Sequence, residues 1–252
     1  MKRLIPLAAL LINSCAYNAT GVAPPRTLIF EYTIEGDQIV QSPNVAYYLV
    51  FDTDGDPATG PQANGGTPIT RPYPDPRSYL PFVFNYDIDL LDRVSSVVLP
   101  PTKWKTYFVL YQEAGQMVMW QGIRQDDGTV NERFHQMQNG REWGISGRTV
   151  QITTPFNQIL GQGAGVEDAQ LPAQLEANLI VANRGQPRTQ LDVVIERWGQ
   201  VPNLFFKVPT RQVDQTIYDT ISGVPYPQNV PQGVDPRNLN LITYRYRIVT
   251  GQ

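Results

Sequence analysis

Short runs of β-branched and aromatic residues, separated by turn-forming residues, recur along most of this chain. Over 28–34 the apolar residues follow a period of two, as expected for a strand with one buried face. The run 45–51, VAYYLVF, is apolar throughout, which indicates a strand buried on both faces. Helical patterning is scarce, because Pro172 interrupts the stretch 167–177 that shows it. The sequence therefore predicts an all-β fold, an antiparallel β-sandwich with few short helices.

About nine or ten strands are predicted, most of them within a domain that spans 27–198. After the first two runs, strand patterns occupy 79–90, 104–111, 116–123, 129–137, 147–153, 175–183 and 191–198. The turn residues at 113–115 and 126–128 each join two consecutive runs, which predicts two hairpins. A short helical turn is expected to begin at Thr154–Pro155.

The chain changes character after this domain. Residues 199–238 are rich in Pro, Gly, Gln and Asn, which predicts an irregular extension with one short helix over 211–222. Apolar and polar residues alternate again over 240–250, so a half-buried strand is expected there. Because one strand of this length cannot bury a core by itself, 199–252 is predicted to return to the sandwich through that last strand.

The first residues have the parts of an export signal. Basic Lys2 and Arg3 precede an apolar stretch, 4–12, which is too short to cross a hydrocarbon core of about 30 Å as a helix. No other stretch approaches the roughly 18 apolar residues that a transmembrane helix needs. We therefore expect an exported chain without a membrane-spanning helix.

Residues 1–14 also resemble the signal peptide of a bacterial lipoprotein, in which an aliphatic and a small residue precede a cysteine. Here these residues are Ile12, Ser14 and Cys15, the only cysteine of the chain. The resemblance implies that Cys15 becomes the lipid-modified N-terminus and that 15–26 is a tether. It further implies anchoring in a membrane of the bacterial cell envelope, on its periplasmic or surface face. A plain cleaved signal, with Cys15 incidental, is the alternative.

Charge and composition exclude several function classes. The net charge of −3 argues against a nucleic-acid partner, which usually requires a basic face. A single Cys rules out an internal disulfide, and a single His, His135, leaves no multi-histidine metal site. Nothing resembles a Gly-x-Ser-x-Gly nucleophile motif or a phosphate-binding glycine loop. A glycosidase is not excluded, because its carboxylate pair has no fixed spacing in sequence.

Three carboxylates follow the second predicted strand, at Asp52, Asp54 and Asp56. Like charges this close repel unless a cation lies among them, and hard oxygen ligands suit Ca²⁺ better than Zn²⁺. The turn is not an EF-hand, because Pro57 takes the invariant glycine position and Ala63 that of the bidentate glutamate. The sequence therefore predicts a structural calcium ion, with a plain solvated turn as the alternative.

The segment 45–60, a strand that runs into an Asp-rich turn ending in Thr-Gly, resembles DOMON-like and family-9-like carbohydrate-binding modules. The later strand patterns resemble these modules loosely, so the likeness covers roughly 27–198. It implies a jelly-roll-like β-sandwich with calcium at the three aspartates. It also implies a surface or cleft that binds sugar.

Aromatic side chains are the candidates for contacting such a ligand, because sugar C–H faces pack on flat exposed rings. Trp104 lies between two lysines and Trp143 in a polar stretch, so both are predicted to contact ligand. Tyr73 is a third candidate, within a proline-rich insert that could form one wall of a groove. Trp120 and Trp198 continue apolar runs and are expected in the core.

These patterns together predict a lipid-anchored envelope protein whose calcium-stabilised β-sandwich binds carbohydrate. A structural or assembly lipoprotein that contacts other envelope proteins is the first alternative, and a glycoside hydrolase is the second.

Overall fold

Twelve strands and one α-helical turn make up most of the residues that the structure, a computed structural model, describes. The described residues are 26–55, 61, 104–125, 130–135, 141–161, 171–183, 193–197, 206–220 and 230–250, of which 182–183 and 193–197 are described by their backbone only. The strands are β1 (Arg26–Ile34), β2 (Val45–Asp52), β3 (Thr106–Glu113), β4 (Gln116–Arg124), β5 (Val130–His135), β6 (Trp143–Ser146), β7 (Thr149–Pro155), β8 (Gln174–Asn183), β9 (Val193–Arg197), β10 (Phe206–Pro209), β11 (Thr216–Thr220) and β12 (Leu241–Thr250). The helical turn α1 spans Phe156–Ile159, and a 3₁₀ turn spans Pro236–Asn238.

The strands form two antiparallel sheets. The five-stranded sheet has the order β11-β12-β1-β7-β6, and the seven-stranded sheet has the order β10-β8-β2-β3-β4-β5. The seventh strand of the second sheet, β9, pairs with the later part of β8, whereas β10 pairs with its first residues. The predicted all-β sandwich is therefore confirmed.

The core lies between the two sheets. Alternate residues of β1, from Leu28 to Ile34, are buried and pack in one cluster with inward-facing residues of β2 such as Tyr47 and Phe51. Full burial of one such side chain stabilises the fold by about 1.5–3 kcal/mol. The two-residue period over 28–34 is thus the direct cause of the sheet-on-sheet contact.

Strand β2 is buried along its whole length, as its apolar run predicts. Its residues Ala46, Tyr48 and Val50 belong to a second apolar cluster, on the outer face of the seven-stranded sheet. Tyr107 and Tyr111 of β3 lie in the same cluster, so aromatic rings line much of this outer face. We call this surface the aromatic face.

Local turn chemistry agrees with the sequence at two places. Strands β3 and β4 form the predicted hairpin, in which Ala114 and Gly115 adopt φ angles of 49° and 82°. Turn α1 begins directly after Pro155, where a helical turn was expected. The predicted strand over 79–90 and the turn at 126–128 lie outside the described residues.

The C-terminal part contributes three strands. Strand β12 lies between β1 and β11, and it pairs with β1 from Arg26–Thr250 to Ile34–Leu241. The predicted helix over 211–222 is wrong, because Thr216–Thr220 is a strand that pairs with β12. Pairing with an available strand edge has outweighed the weak helical pattern of this segment.

Residues 1–25, which include the predicted signal and Cys15, lie outside the described part of the chain. Within the part that is described, no helix has the length and apolar character needed to span a membrane.

Candidate functional site

The acidic turn begins at the last residue of β2. Asp52 Oδ1 accepts hydrogen bonds from the backbone N–H groups of Thr53, at 2.7 Å, and Asp54, at 3.2 Å. Gly55 then adopts a φ of 75°, which is easily reached by glycine. Asp52 therefore closes the turn and is itself 3% exposed. Asp56, the third predicted calcium ligand, lies outside the described residues.

The neighbouring strand β8 brings two further polar side chains to Asp52. The register places Glu176 opposite Asp52 and Asn178 opposite Val50. Directly opposed residues of an antiparallel pair project from the same face of a sheet. Asp52, Glu176 and Asn178 therefore share the outer face, at one end of the aromatic face. Glu176 and Asn178 are both fully buried. We call these three residues the cross-strand cluster.

Hydrogen bonds hold the cluster in place. Gln174 Nε2 donates to Glu176 Oε1 at 2.8 Å, and Asn178 Nδ2 donates to the carbonyl oxygen of Pro61 at 2.9 Å. The second carboxylate oxygen of Glu176, Oε2, is buried and accepts no hydrogen bond from the described part of the chain. Strand β10 pairs with the other edge of β8 and places Lys207 opposite Glu176, but the side chain of Lys207 is exposed.

Burial raises the pKa of Glu176 to about 7, and repulsion from Asp52 and Asp54 contributes to the increase. The hydrogen bond from Gln174 and the charge of Lys207 act in the opposite direction and are outweighed. Glu176 is therefore readily protonated near neutral pH, and the proton removes its repulsion with Asp52.

No three or more His, Cys, Asp or Glu side chains are grouped in metal-binding geometry within the described ranges. The cross-strand cluster contains only two carboxylates, and its third oxygen donor is an amide. Calcium bound by Asp52, Asp54 and Asp56 stays a prediction, because Asp56 is not described.

Both predicted tryptophan contacts are buried, and the expectation that they face a ligand is wrong. Trp143 is fully buried, and its indole Nε1 donates to the backbone oxygen of His135 at 3.0 Å. Trp104 is 3% exposed, and the centroid of its ring lies 5.8 Å from that of Tyr107. Their polar sequence neighbours were misleading, because Trp143 packs in the core between the sheets and Trp104 packs in the cluster on the outer face. Tyr73 lies outside the described residues.

His135 serves to join the two sheets. Its Nδ1 lies 3.1 Å from Glu142 Oε2, and its Nε2 lies 3.0 Å from Gln121 Oε1. Burial lowers the pKa of the imidazole, although Glu142 opposes this change. Because both ring nitrogens are engaged by carboxylate and amide side chains, this histidine is not poised to activate a hydroxyl nucleophile.

An open groove lies on the outer face of the five-stranded sheet, with a volume of about 480 Å³. A row of three opposed residues crosses it, formed by Tyr218 of β11, Arg245 of β12 and Glu31 of β1. Arg245 Nε donates to Glu31 Oε2. Tyr218 is 61% exposed, the most exposed large hydrophobic side chain among the described residues. We call this surface the strand groove.

Hydroxyl groups line one end of the strand groove. Thr33 and Thr149 lie there with their hydroxyl oxygens 3.0 Å apart, and Thr243 and Arg148 lie beside them. The groove thus combines one exposed ring with an ion pair and a set of small polar groups. Sequence reasoning missed it, because Tyr218 lay in a segment predicted to be helical and its neighbours come from distant parts of the chain.

A second cleft, of about 420 Å³, lies between the segments 38–42 and 232–238. Its lining contains no aromatic side chain among the described residues. It therefore lacks a surface on which a sugar ring could stack.

No known protein family matches the chain, and no curated protein or solved structure matches it either. The class that the structure itself defines is an all-β sandwich with a polar groove on one sheet and a buried acidic cluster on the other.

Proposed function

We propose that this chain is an exported, lipid-anchored binding protein of the bacterial cell envelope, and that its strand groove binds carbohydrate. The observation that supports this most directly is the exposed ring of Tyr218 beside Arg245 and Glu31. The lipid anchor at Cys15 rests on the signal-like sequence before it.

The groove offers the two kinds of contact that a sugar requires. An exposed aromatic ring provides a flat surface for the apolar C–H face of a pyranose. The guanidinium of Arg245 donates hydrogen bonds and the carboxylate of Glu31 accepts them, so the pair can bind sugar hydroxyl groups that act as acceptors or as donors. Because the two side chains are already bonded to each other, little side-chain ordering is required when the ligand arrives.

Binding fits the groove better than hydrolysis does. A glycosidase uses two carboxyl groups, about 5–10 Å apart, on either side of the scissile bond. Glu31 is the only carboxylate among the described residues that line the groove. The proposed function is therefore non-catalytic.

A glycan array probed with the full-length protein in mild detergent tests this proposal. We expect selective binding of one class of glycan. Tyr218→Ala should weaken that binding by about tenfold, which corresponds to about 1.4 kcal/mol. Because Tyr218 is exposed, its loss should leave the melting temperature nearly unchanged.

Phe134→Ala is the matched control, since Phe134 is the other exposed large hydrophobic residue described and lies on the seven-stranded sheet. It should leave glycan binding unchanged. If no glycan binds, or if Tyr218→Ala binds as tightly as the wild type, the carbohydrate proposal is wrong. In the first case, an assembly role with an envelope protein as partner would take its place.

A further inference from the structure

We propose that the glycan bound by the strand groove is an acidic oligosaccharide, whose sugar carboxylates pair with Arg148 and Arg247. The acidic character of the ligand presupposes the proposed function of the groove and specifies the class of glycan. It follows from the charges that the outer face of the five-stranded sheet presents to solvent.

This outer face carries more positive than negative charge. Arg245 and Arg247 are two residues apart on β12, so they project from the same face as Glu31, which lies opposite Arg245 on β1. Arg148 lies in the turn between β6 and β7 and lines the groove. Among the outward side chains of β1, β11, β12 and this turn, three arginines therefore face one glutamate, although the whole chain has a net charge of −3.

Two of the three arginines are available to a ligand. Arg245 is bonded to Glu31, so this pair contributes little net charge. Arg148 and Arg247 are exposed, and neither forms an ion pair or a side-chain hydrogen bond within the part of the chain that the structure describes. An exposed basic surface of this kind attracts anionic ligands.

The carboxylate of β11 does not neutralise this surface. Asp219 alternates with Tyr218 along the strand, so it projects from the inner face of the sheet. Its Oδ2 accepts a hydrogen bond from the hydroxyl of Tyr244, a core residue. An anion on the outer strands therefore faces only Glu31, whose charge Arg245 already balances.

The two free arginines flank the exposed ring. Arg247 lies two residues beyond Arg245 on β12, whereas Arg148 lies at the hydroxyl end of the groove, next to Thr149. From strand spacing and rise, their Cα atoms are roughly 20 Å apart across β12, β1 and β7. The row that holds Tyr218 runs between them. One sugar ring cannot reach both guanidinium groups, so the ligand must contain several sugar units.

Arginine matches a sugar carboxylate in geometry as well as in charge. Its planar guanidinium can donate two parallel N–H bonds to one carboxylate. A uronic acid unit combines such a carboxylate with hydroxyl groups and an apolar C–H face. The groove offers a partner for each of these, in the two arginines, the threonine hydroxyls and the ring of Tyr218.

The test compares uronic acid oligosaccharides with their methyl esters, which lack the charge. Oligomers of galacturonate, glucuronate and mannuronate are titrated into full-length protein in mild detergent. At least one should bind, and its methyl ester should bind about twentyfold more weakly, since two exposed ion pairs of about fivefold each are lost. If only neutral glycans bind, or if acid and ester bind equally, the acidic ligand is wrong while the proposed function stands. If no glycan binds, both are wrong.

Substitutions then locate the contacts. Arg148→Gln and Arg247→Gln should each weaken binding of the uronate about fivefold, leave binding of the ester unchanged, and keep the wild-type melting temperature, because both side chains are exposed. Arg133→Gln is the matched control, at an exposed arginine on the seven-stranded sheet, and should bind the uronate as the wild type does. Wild-type uronate binding in both Arg148→Gln and Arg247→Gln would overturn the proposal.

Other anions separate a sugar carboxylate from charge alone. A sulfated galactan presents sulfate groups on sugar, and vesicles containing phosphatidylglycerol present phosphate without sugar. Both should bind more weakly than the preferred uronate. If either binds as tightly, with the same dependence on Arg148 and Arg247, the face is a general anion-binding surface and the carboxylate assignment is wrong.

Discussion

Replacing Gly122 by alanine should destabilise the fold strongly, because the ring of Tyr107 occupies the space that a Cβ would need. An ideal Cβ at Gly122 lies 2.2 Å from both Cε1 and Cζ of that ring. Non-bonded carbon atoms pack about 3.5–4.0 Å apart, so the ring must move by roughly 1 Å or more. Glycine at this position therefore allows Tyr107 to lie across β4.

The ring has little room to retreat. Tyr107 is 1% exposed, and the centroid of its ring lies 5.8 Å from that of Trp104 and 6.3 Å from that of Tyr48. Moving it also disturbs the 3.3 Å hydrogen bond from its hydroxyl to Glu132. Overpacking of this kind costs about 1–3 kcal/mol, and we expect a value at the upper end. For a chain of this size that lowers the melting temperature by roughly 6–12 °C.

A double-mutant cycle with Tyr107→Leu isolates the clash. Urea unfolding followed by tryptophan fluorescence should show that Gly122→Ala costs about 3 kcal/mol in the wild type and almost nothing in the Tyr107→Leu background, where the ring is gone. Gly115→Ala is the control, because its Cβ meets nothing within 4 Å and its cost arises only from a φ of 82°. A Gly122→Ala protein within about 0.5 kcal/mol of the wild type would refute the reasoning.

Two further predictions concern the contact between the sheets. Trp143→Phe should lower the free energy of unfolding by about 2–3 kcal/mol, because it leaves the backbone oxygen of His135 without its indole donor and opens a cavity. Urea unfolding measures this change, and a loss below about 0.5 kcal/mol would contradict the prediction. Burial lowers the pKa of His135 below its usual 6.5, so the stability it contributes is present above that pH and is lost as the pH falls through the folded-state pKa. Between about pH 7.5 and pH 5, the urea midpoint of the wild type should therefore fall more steeply than that of His135→Gln. Parallel profiles would show that His135 does not contribute to the loss of stability in acid.

The sequence predicted those parts of the fold that depend on local pattern. Alternation over 28–34 and the apolar run over 45–51 indicated which strands are buried on one face and which on two, because side-chain period and burial are linked directly. The hairpin at 113–115 was predictable because Gly115 readily adopts the positive φ that its turn requires. These features require no knowledge of distant partners.

Features that depend on distant partners were not predictable in this way. Thr216–Thr220 becomes a strand because β12 offers it an edge, and nothing within 211–222 indicates that edge. Trp104 and Trp143 have polar neighbours in sequence, yet the surrounding strands bury both of them. A side chain's exposure follows from sheet pairing, which a single sequence does not reveal.

The cross-strand cluster did leave a signal in the sequence. Gln174, Glu176 and Asn178 alternate with apolar residues along the first half of β8, and three polar residues on one face of a buried strand need an explanation. What the sequence lacked was the register that places Glu176 opposite Asp52. Half of the cluster was thus visible as a pattern, whereas its assembly required the fold.

The strand groove and the cross-strand cluster lie on opposite outer faces of the sandwich. Tyr218 and Arg245 project outward from the five-stranded sheet, whereas Glu176 and Asp52 project outward from the seven-stranded sheet, and the main core lies between them. Substitutions that share no partner and lie far apart act independently. A calcium requirement for glycan binding would therefore have to act through the stability of the whole sandwich, and it would disappear under conditions in which the calcium-free protein remains folded.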